Sequence, residues 1–216
     1  MKFSIEEIRN NLYSAVIADA LDGIGYKHQS PNIIFPISTV ATKIVGRSKT
    51  TLWADIYHID PSPYDLELKA VDSCLPGEVL IAAAGGSNRS GIWGELLSTA
   101  ASIQGCVGAI VHGCVRDVGK IAKMGFPVLA SGTRVYDSQN RQMVIQIDVP
   151  VELGGVIIHP RDLVFCDDDG MVVIPQEIEE EVLSKAMQKV DAENITRDEI
   201  KNGMLAEEAY RKYGIL

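Results

Sequence analysis

No run of apolar residues in this chain approaches the roughly 20 that a helix needs to cross a bilayer, so the sequence gives no support to a membrane-spanning role. Basic charge is also scarce. Twenty Lys and Arg stand against 29 Asp and Glu, and the formal net charge is -9. A field of that sign opposes broad attraction to nucleic-acid phosphates or anionic lipid, which leaves small ligands and protein partners. A small anionic substrate would need a local cationic device. Cysteine is sparse and scattered: Cys74, Cys106, Cys114 and Cys166 form no C-x-x-C pair, and each sits among apolar residues. They read as reduced core residues. The amino end carries Ser4 and Glu7 at capping-box spacing and no continuous apolar stretch, so the chain is expected in the cytoplasm. Repeats, low-complexity tracts and linkers are missing too. The 216 residues, 46% hydrophobic, are expected to form one domain, 1–216, around one core.

What the sequence does contain is an alternation of strand and helix patterns. Residues from about Ser4 to Gly25 read as two short helices, with Ile5, Ile8 and Leu12 on one face and Val16, Ile17, Ala20, Leu21 and Ile24 on the other. The β-branched stretch between Ile37 and Ile56 suggests paired strands around a break at Gly46. A helix near Tyr64 to Ser73 leads through Leu75-Pro76-Gly77 to an apolar strand, Glu78 to Ala84. A glycine-rich loop, GGSNRSG, then opens a helix from about Ile92 to Gln104. The same order recurs: a strand from Gly108 to His112 ending at Gly113, a helix around Asp117 to Met124, and a strand at Pro127 to Ala130. Gln142 to Pro175 is mostly strand, with Gly154-Gly155 and Asp167 to Gly170 as corners, and 176–216 is a charged helical extension. The expected fold class is α/β, one domain with a mixed sheet and a C-terminal helical extension.

Two segments concentrate polar groups where strands end. Gly85 to Leu97, GGSNRSGIWGELL, feeds a glycine-rich turn into a helix, whose first-turn amides and dipole can seat a carboxylate or phosphate. Such loops are also common as plain turns. Val111 to Asp117, VHGCVRD, delivers Arg116 and Asp117 side by side at the carboxyl end of a strand, where ligands of α/β proteins collect. The alternative is structural, with Asp117 capping the next helix and Arg116 paired to a surface acid.

Twenty residues separate Glu95 from Arg116, giving the pattern E-X20-R-D. The stretch WGELLSTAASIQGCVGAIVHGCVRDVGKIAKMGFPV resembles the family that includes the regulator of ribonuclease activity A and the 4-hydroxy-4-methyl-2-oxoglutarate aldolases. VIADALDGIG, GVIIHPRDLVFCDDDGMVVIP, KVDAEN and YRKYGIL extend the resemblance over nearly the whole chain. It implies a mixed sheet or barrel of the swivelling β/β/α type. It also implies that Asp117 binds a divalent metal directly and that Glu95 acts through metal-bound water. Arg116 would bind the pyruvyl end and stabilise the enolate, with the backbone amides of Gly94, Glu95, Leu96 and Leu97 as the substrate seat. Glu193 in KVDAEN would reach in from a neighbouring subunit of a homotrimer or hexamer. One departure stands out: the aldolase pattern carries aspartate where this chain has Glu95.

Carboxylate ligands suit Mg²⁺ or Mn²⁺, and no His or Cys cluster here favours Zn²⁺. The function implied is a metal-dependent lyase that cleaves 4-hydroxy-2-oxo acids to pyruvate, decarboxylates oxaloacetate, or both. The rival is a non-catalytic regulator that binds a ribonuclease or helicase, and the spacing of Glu95 and Arg116-Asp117 favours catalysis over it. A methyltransferase reading lacks a G-x-G-x-x-G after a first strand. Among the other residues, His112 reads as a hydrogen-bonded strand-end histidine and Asp167-Asp168-Asp169-Gly170 as a hairpin turn in preference to a calcium loop. Asp19 and Asp22 read as solvated or capping residues, and Trp93, Phe126, Met124 and Met171 as packing groups.

Overall fold

In the computed structural model, which describes residues 2–40 and 43–215, the chain builds a mixed sheet flanked by helices. Helix α1 (Ile5–Asn11) begins with the Ser4–Glu7 capping box in place, and α2 (Ser14–Asp22) follows after two residues. Short β1 (Ile37–Ser38) and long β2 (Ile44–Asp55) precede α3 (Asp65–Asp72) and β3 (Glu78–Ala83). Then come β4 (Gly91–Trp93), α4 (Glu95–Ile103), β5 (Gly108–Val115), α5 (Val118–Met124) and β6 (Val128–Thr133). Strands β7 (Gln142–Ile147), β8 (Val151–Leu153), β9 (Val156–Ile158), β10 (Leu163–Asp167) and β11 (Gly170–Ile174) complete the β structure. A 3-10 turn leads to α6 (Glu179–Lys201) and α7 (Ala206–Tyr213), the expected helical extension. Among the described residues no helix is long and apolar enough to cross a membrane.

The sheet runs β1-β6-β5-β3-β2-β10-β11, with β4 added to β5 and β7 to the far half of β2. Parallel pairs β2·β3, β3·β5, β4·β5 and β5·β6 form the middle, and antiparallel pairs close both flanks. Every residue of β3 is buried, as its unbroken apolar run requires of a strand covered on both faces. One apolar cluster, with Leu80, Trp93, Ala101, Val111 and Ile121, lies where α3, α4 and α5 cover the parallel strands. Another joins α1, α2 and α6 to β10 and β11 through Ile8, Ile17, Phe165 and Leu183. The third, with Ile81, Ile110, Leu153 and Ile158, includes the β8–β9 hairpin. All four cysteines are buried and unpaired.

Three expectations are corrected. Gly46 does not break a strand pair: β2 runs through it, because a side chain there would meet the Gly77 carbonyl oxygen at 2.4 Å and only glycine permits the approach. Gly113 does not end β5, which continues to Val115 past a register shift against β6. Ile92 does not start a helix. It lies in β4, which pairs with β5 before Gly94 turns the chain into α4. The Asp167–Gly170 turn is a hairpin as expected, and its first carboxylate is committed, accepting from the Ser14 amide at 2.8 Å and hydroxyl at 2.6 Å.

Candidate active site

The carboxyl ends of β4 and β5 meet where α4 begins. The Arg116 amide donates to the Trp93 carbonyl at 2.8 Å, which ties the Arg-Asp pair to the residue before Gly94. Asp117 adopts a left-handed backbone, φ 57°, a conformation rare outside glycine that Asp tolerates better than most residues. It occupies the N-cap of α5 but makes no side-chain capping bond. Its Oδ2 instead accepts from the Glu95 amide at 3.3 Å, at the positive end of α4. Gly94 makes this possible. A β-carbon there would lie 2.9 Å from Asp117 Oδ2 and 3.3 Å from Arg116 Cγ. With glycine at the N-cap, Asp117 reaches only the Glu95 amide, and the amides of Leu96 and Leu97 remain at a helix start that lacks intrahelical acceptors.

Arg116 is held by a partner that the sequence pattern does not reveal. Its guanidinium donates to Asp137 at 2.6 Å, while its Nε lies 4.0 Å from Asp117 Oδ2. Asp137 also accepts from the Tyr64 hydroxyl at 2.5 Å and from the Gln139 amide at 2.8 Å. Burial works to raise the Asp137 pKa, but Tyr64, Gln139 and Arg116 outweigh it and hold the carboxyl below its ordinary value. Tyr64 is pushed up to about 12 by burial and by donating to that anion.

These groups line a cleft of about 280 Å³ with Glu67, Gly94, Leu96 and Ser138. Arg116 and Asp117 also border a second recess of about 520 Å³, shared with Thr133, Arg134 and Tyr136. Like Tyr64 and Asp137, Glu67 is a residue that the sequence reading missed. It is 8% exposed, and burial pushes its carboxyl up to about 8. A signal was available: Glu67, Ala70 and Val71 are the buried positions of α3, so an acid stands at the i position of an i, i+3, i+4 core face.

The structure therefore brings Gly94, Glu95, Leu96, Leu97, Arg116 and Asp117 together. It does not bring Glu193 to them within one chain. Glu193, on α6, accepts from the Tyr13 hydroxyl and lies near Lys189 and Arg197 in a separate groove with Ala15, Thr196 and Ile200. His112 is corrected: it lies inside β5, three residues before its end, and its buried Nδ1 has no hydrogen-bond partner among the described residues. Burial lowers its pKa and favours the neutral ring. Asp19 forms an ion pair with Lys189 at 2.6 Å, Met124 is partly exposed, and Trp93, Phe126 and Met171 are packed.

Among the described residues no group of three or more His, Cys, Asp or Glu forms a metal cage. Asp117 nevertheless suits a hard cation that keeps most of its waters. Its side chain is 38% exposed, and the one hydrogen bond it accepts is long, so carboxylate lone pairs remain free. Glu95 starts the adjacent turn, with Oε1 accepting from Thr99 at 3.2 Å. This oxygen set fits Mg²⁺ or Mn²⁺ better than Zn²⁺.

Comparison with known proteins places the chain as a whole in a family. The family profile RraA-like, described as Aldolase/RraA, matches residues 14–173. A protein from Halalkalibacterium halodurans provisionally named 4-hydroxy-4-methyl-2-oxoglutarate aldolase is 31% identical over 90% of this chain and 87% of its own length. Protein DlpA of Legionella pneumophila is 30% identical over 94% of this chain, which spans 32% of that protein. The solved structure of Streptomyces coelicolor RraAS2, described as an unusual member of the RNase ES inhibitor RraA protein family, has a TM-score of 0.79 at 28% identity. That match covers 89% of this chain and 94% of RraAS2. With the profile spanning most of its length and relatives at this identity, the chain belongs to the RraA-like family.

Proposed function

We propose that the protein is a divalent-metal-dependent lyase that cleaves the bond between C3 and C4 of a 2-oxo acid, releasing pyruvate from 4-hydroxy-2-oxo acids, decarboxylating oxaloacetate, or both. One observation carries the reading. A guanidinium, a carboxylate with free lone pairs and the open amides of a helix start converge at Arg116, Asp117 and α4 on one cleft. The substrate carboxylate sits on the Leu96 and Leu97 amides beside Arg116, whose charge overcomes the repulsion of an acidic protein. Asp117, with Glu95 beside it, would hold Mg²⁺ or Mn²⁺, which when bound would supply Lewis-acid stabilisation of negative charge on the substrate oxygens. Arg116 stabilises the same charge as a fixed cation, already oriented by Asp137. Glu95, acting through a water, takes the C4 hydroxyl proton in aldol cleavage. Decarboxylation needs no such base.

The test is pyruvate release from oxaloacetate and from 4-hydroxy-2-oxo acids with Mg²⁺ or Mn²⁺, and again with excess chelator. Full activity in chelator, or none with either metal, rejects the reading. The rival, a regulator that binds a ribonuclease or helicase, has no need of a cleft with an oriented arginine. We further propose a cytoplasmic homotrimer or hexamer in which Glu193 completes a neighbour's site. Exposed Ile195 and Tyr210 on the C-terminal helices and Leu205 between them give it apolar surface to cover. Mixing Glu193→Ala with Arg116→Ala subunits should restore some activity, and no recovery despite subunit exchange would remove Glu193 from the site.

A further inference from the structure

Glu67 is used by none of these steps, yet it lines the same cleft as Arg116, Asp117 and the start of α4. Its surroundings do little to justify a buried carboxyl on structural grounds. Ser138 Oγ donates to it at 3.4 Å, a long contact, and Arg116, which could neutralise it, is engaged by Asp137. The other groups facing it leave its proton in place. Tyr64, at the N-cap of α3, is neutral, and Asp137 is an anion that discourages a second negative charge. Strand β7, packed on α3, carries no charged side chain, and α4 contributes Glu95 alone. An apolar residue would fill the position at lower cost, because an unpaired buried carboxyl weakens a fold. What the position supplies is a carboxylic acid with an O–H, shielded from bulk water, beside the place where an enolate forms.

Building on the lyase reading above, we propose that Glu67 is the acid that protonates C3 of the pyruvate enolate. The C3–C4 bond breaks and its electron pair enters the C2–C3 enolate. The enolate pair then takes the Glu67 proton at C3, leaving a Glu67 carboxylate that solvent reprotonates as pyruvate departs. In aldol cleavage the proton lost from the C4 hydroxyl balances the proton gained at C3; in decarboxylation one proton is drawn from solvent. Run backwards, the Glu67 carboxylate removes a methyl proton from pyruvate.

The test follows methyl deuteration of pyruvate in D₂O by NMR with Mg²⁺ present, in parallel with carbon dioxide release from oxaloacetate. Glu67→Gln should slow deuteration by about a hundredfold or more, as loss of a general acid–base group does. The first-turnover burst of carbon dioxide should keep its size and rate, because bond cleavage precedes protonation. A structural role would depress both together, and that result, or undiminished deuteration, overturns the assignment. Two measurements do not depend on the variant's activity. In the unaltered protein deuteration should rise and aldol cleavage fall through the same pH, near 8, and flat profiles from about pH 6 to 9 would refute the proposal. At pH 7 the infrared spectrum should show a protonated buried carboxyl that Glu67→Gln removes, and its absence would do the same. A protein that neither cleaves nor deuterates with Mg²⁺ or Mn²⁺ fails at the lyase reading itself and takes the Glu67 assignment with it.

Discussion

Glu67 should make the fold weaker as pH rises, and the size of the effect follows from its burial. Its folded-state pKa is about 8 against an ordinary 4.5, so the folded chain keeps a proton there that the unfolded chain releases. Where the folded state binds more protons, stability falls with rising pH, by about 1.4 kcal/mol per unit between the two values. Relative to pH 4.5 the loss is about 3 kcal/mol at pH 7 and about 4 kcal/mol once pH has passed 8. Those are large fractions of a typical folding free energy. Glu67→Gln keeps the shape and can still accept from Ser138, but it cannot ionise. Urea denaturation of both proteins from pH 5 to 9 should therefore give stability curves that diverge in favour of the variant as pH rises. The divergence is the useful quantity, because any fixed cost of burying an amide cancels from it. Parallel curves across that range would show that Glu67 ionises freely, and its proposed role as an acid would go with that result.

Three further outcomes test the rest of the site. Arg116→Lys should fold normally and lose about two to three orders of magnitude in turnover, in decarboxylation and aldol cleavage alike, because a point charge cannot reproduce bidentate stabilisation of the enolate; normal turnover would reduce Arg116 to an ion pair with Asp137. Asp117→Asn should keep the left-handed backbone and the melting temperature while abolishing metal-dependent turnover, and calorimetric titration with Mn²⁺ that found unchanged affinity would refute the ligand assignment. Gly94→Ala introduces a β-carbon 2.9 Å from the Asp117 carboxylate; that flexible group can yield, so the melting temperature should shift by no more than about 4 °C while kcat/KM falls by about tenfold, and unchanged kinetics would mean that Asp117 tolerates displacement.

Much of this architecture is legible in the sequence because one force dominates each legible part. Unbroken apolar runs became the buried strands β3 and β5, Ser4 and Glu7 formed their reciprocal cap, and Asp167–Gly170 turned a hairpin. The glycines misled where two forces compete. Gly46 and Gly113 look like breaks, yet both lie inside strands that need room for a neighbouring atom: the Gly77 carbonyl in one case, the Ala84 side chain in the other. His112 was expected to have a hydrogen-bond partner and has none for Nδ1 among the described residues. At the site, spacing located Glu95, Arg116 and Asp117 because their backbones are tied within one β–α–β unit. Tyr64, Glu67 and Asp137 come from α3 and from the loop after β6, and their convergence on Arg116 depends on packing that no local pattern encodes. Glu193 lies in another groove, so its role depends on contacts between subunits.

The left-handed backbone at Asp117 has a consequence for how such a protein can change over generations. A β-carbon in that conformation costs roughly 1–2 kcal/mol for most residues, and aspartate, asparagine and glycine bear it best. The position is therefore constrained twice, by the charge of its side chain and by the conformation of its main chain, and only the first constraint is chemical. Descendants released from selection for turnover should first replace Asp117 with asparagine or glycine, leaving the turn into α5 intact. Bulkier replacements such as valine should accumulate only after the turn itself has been rebuilt.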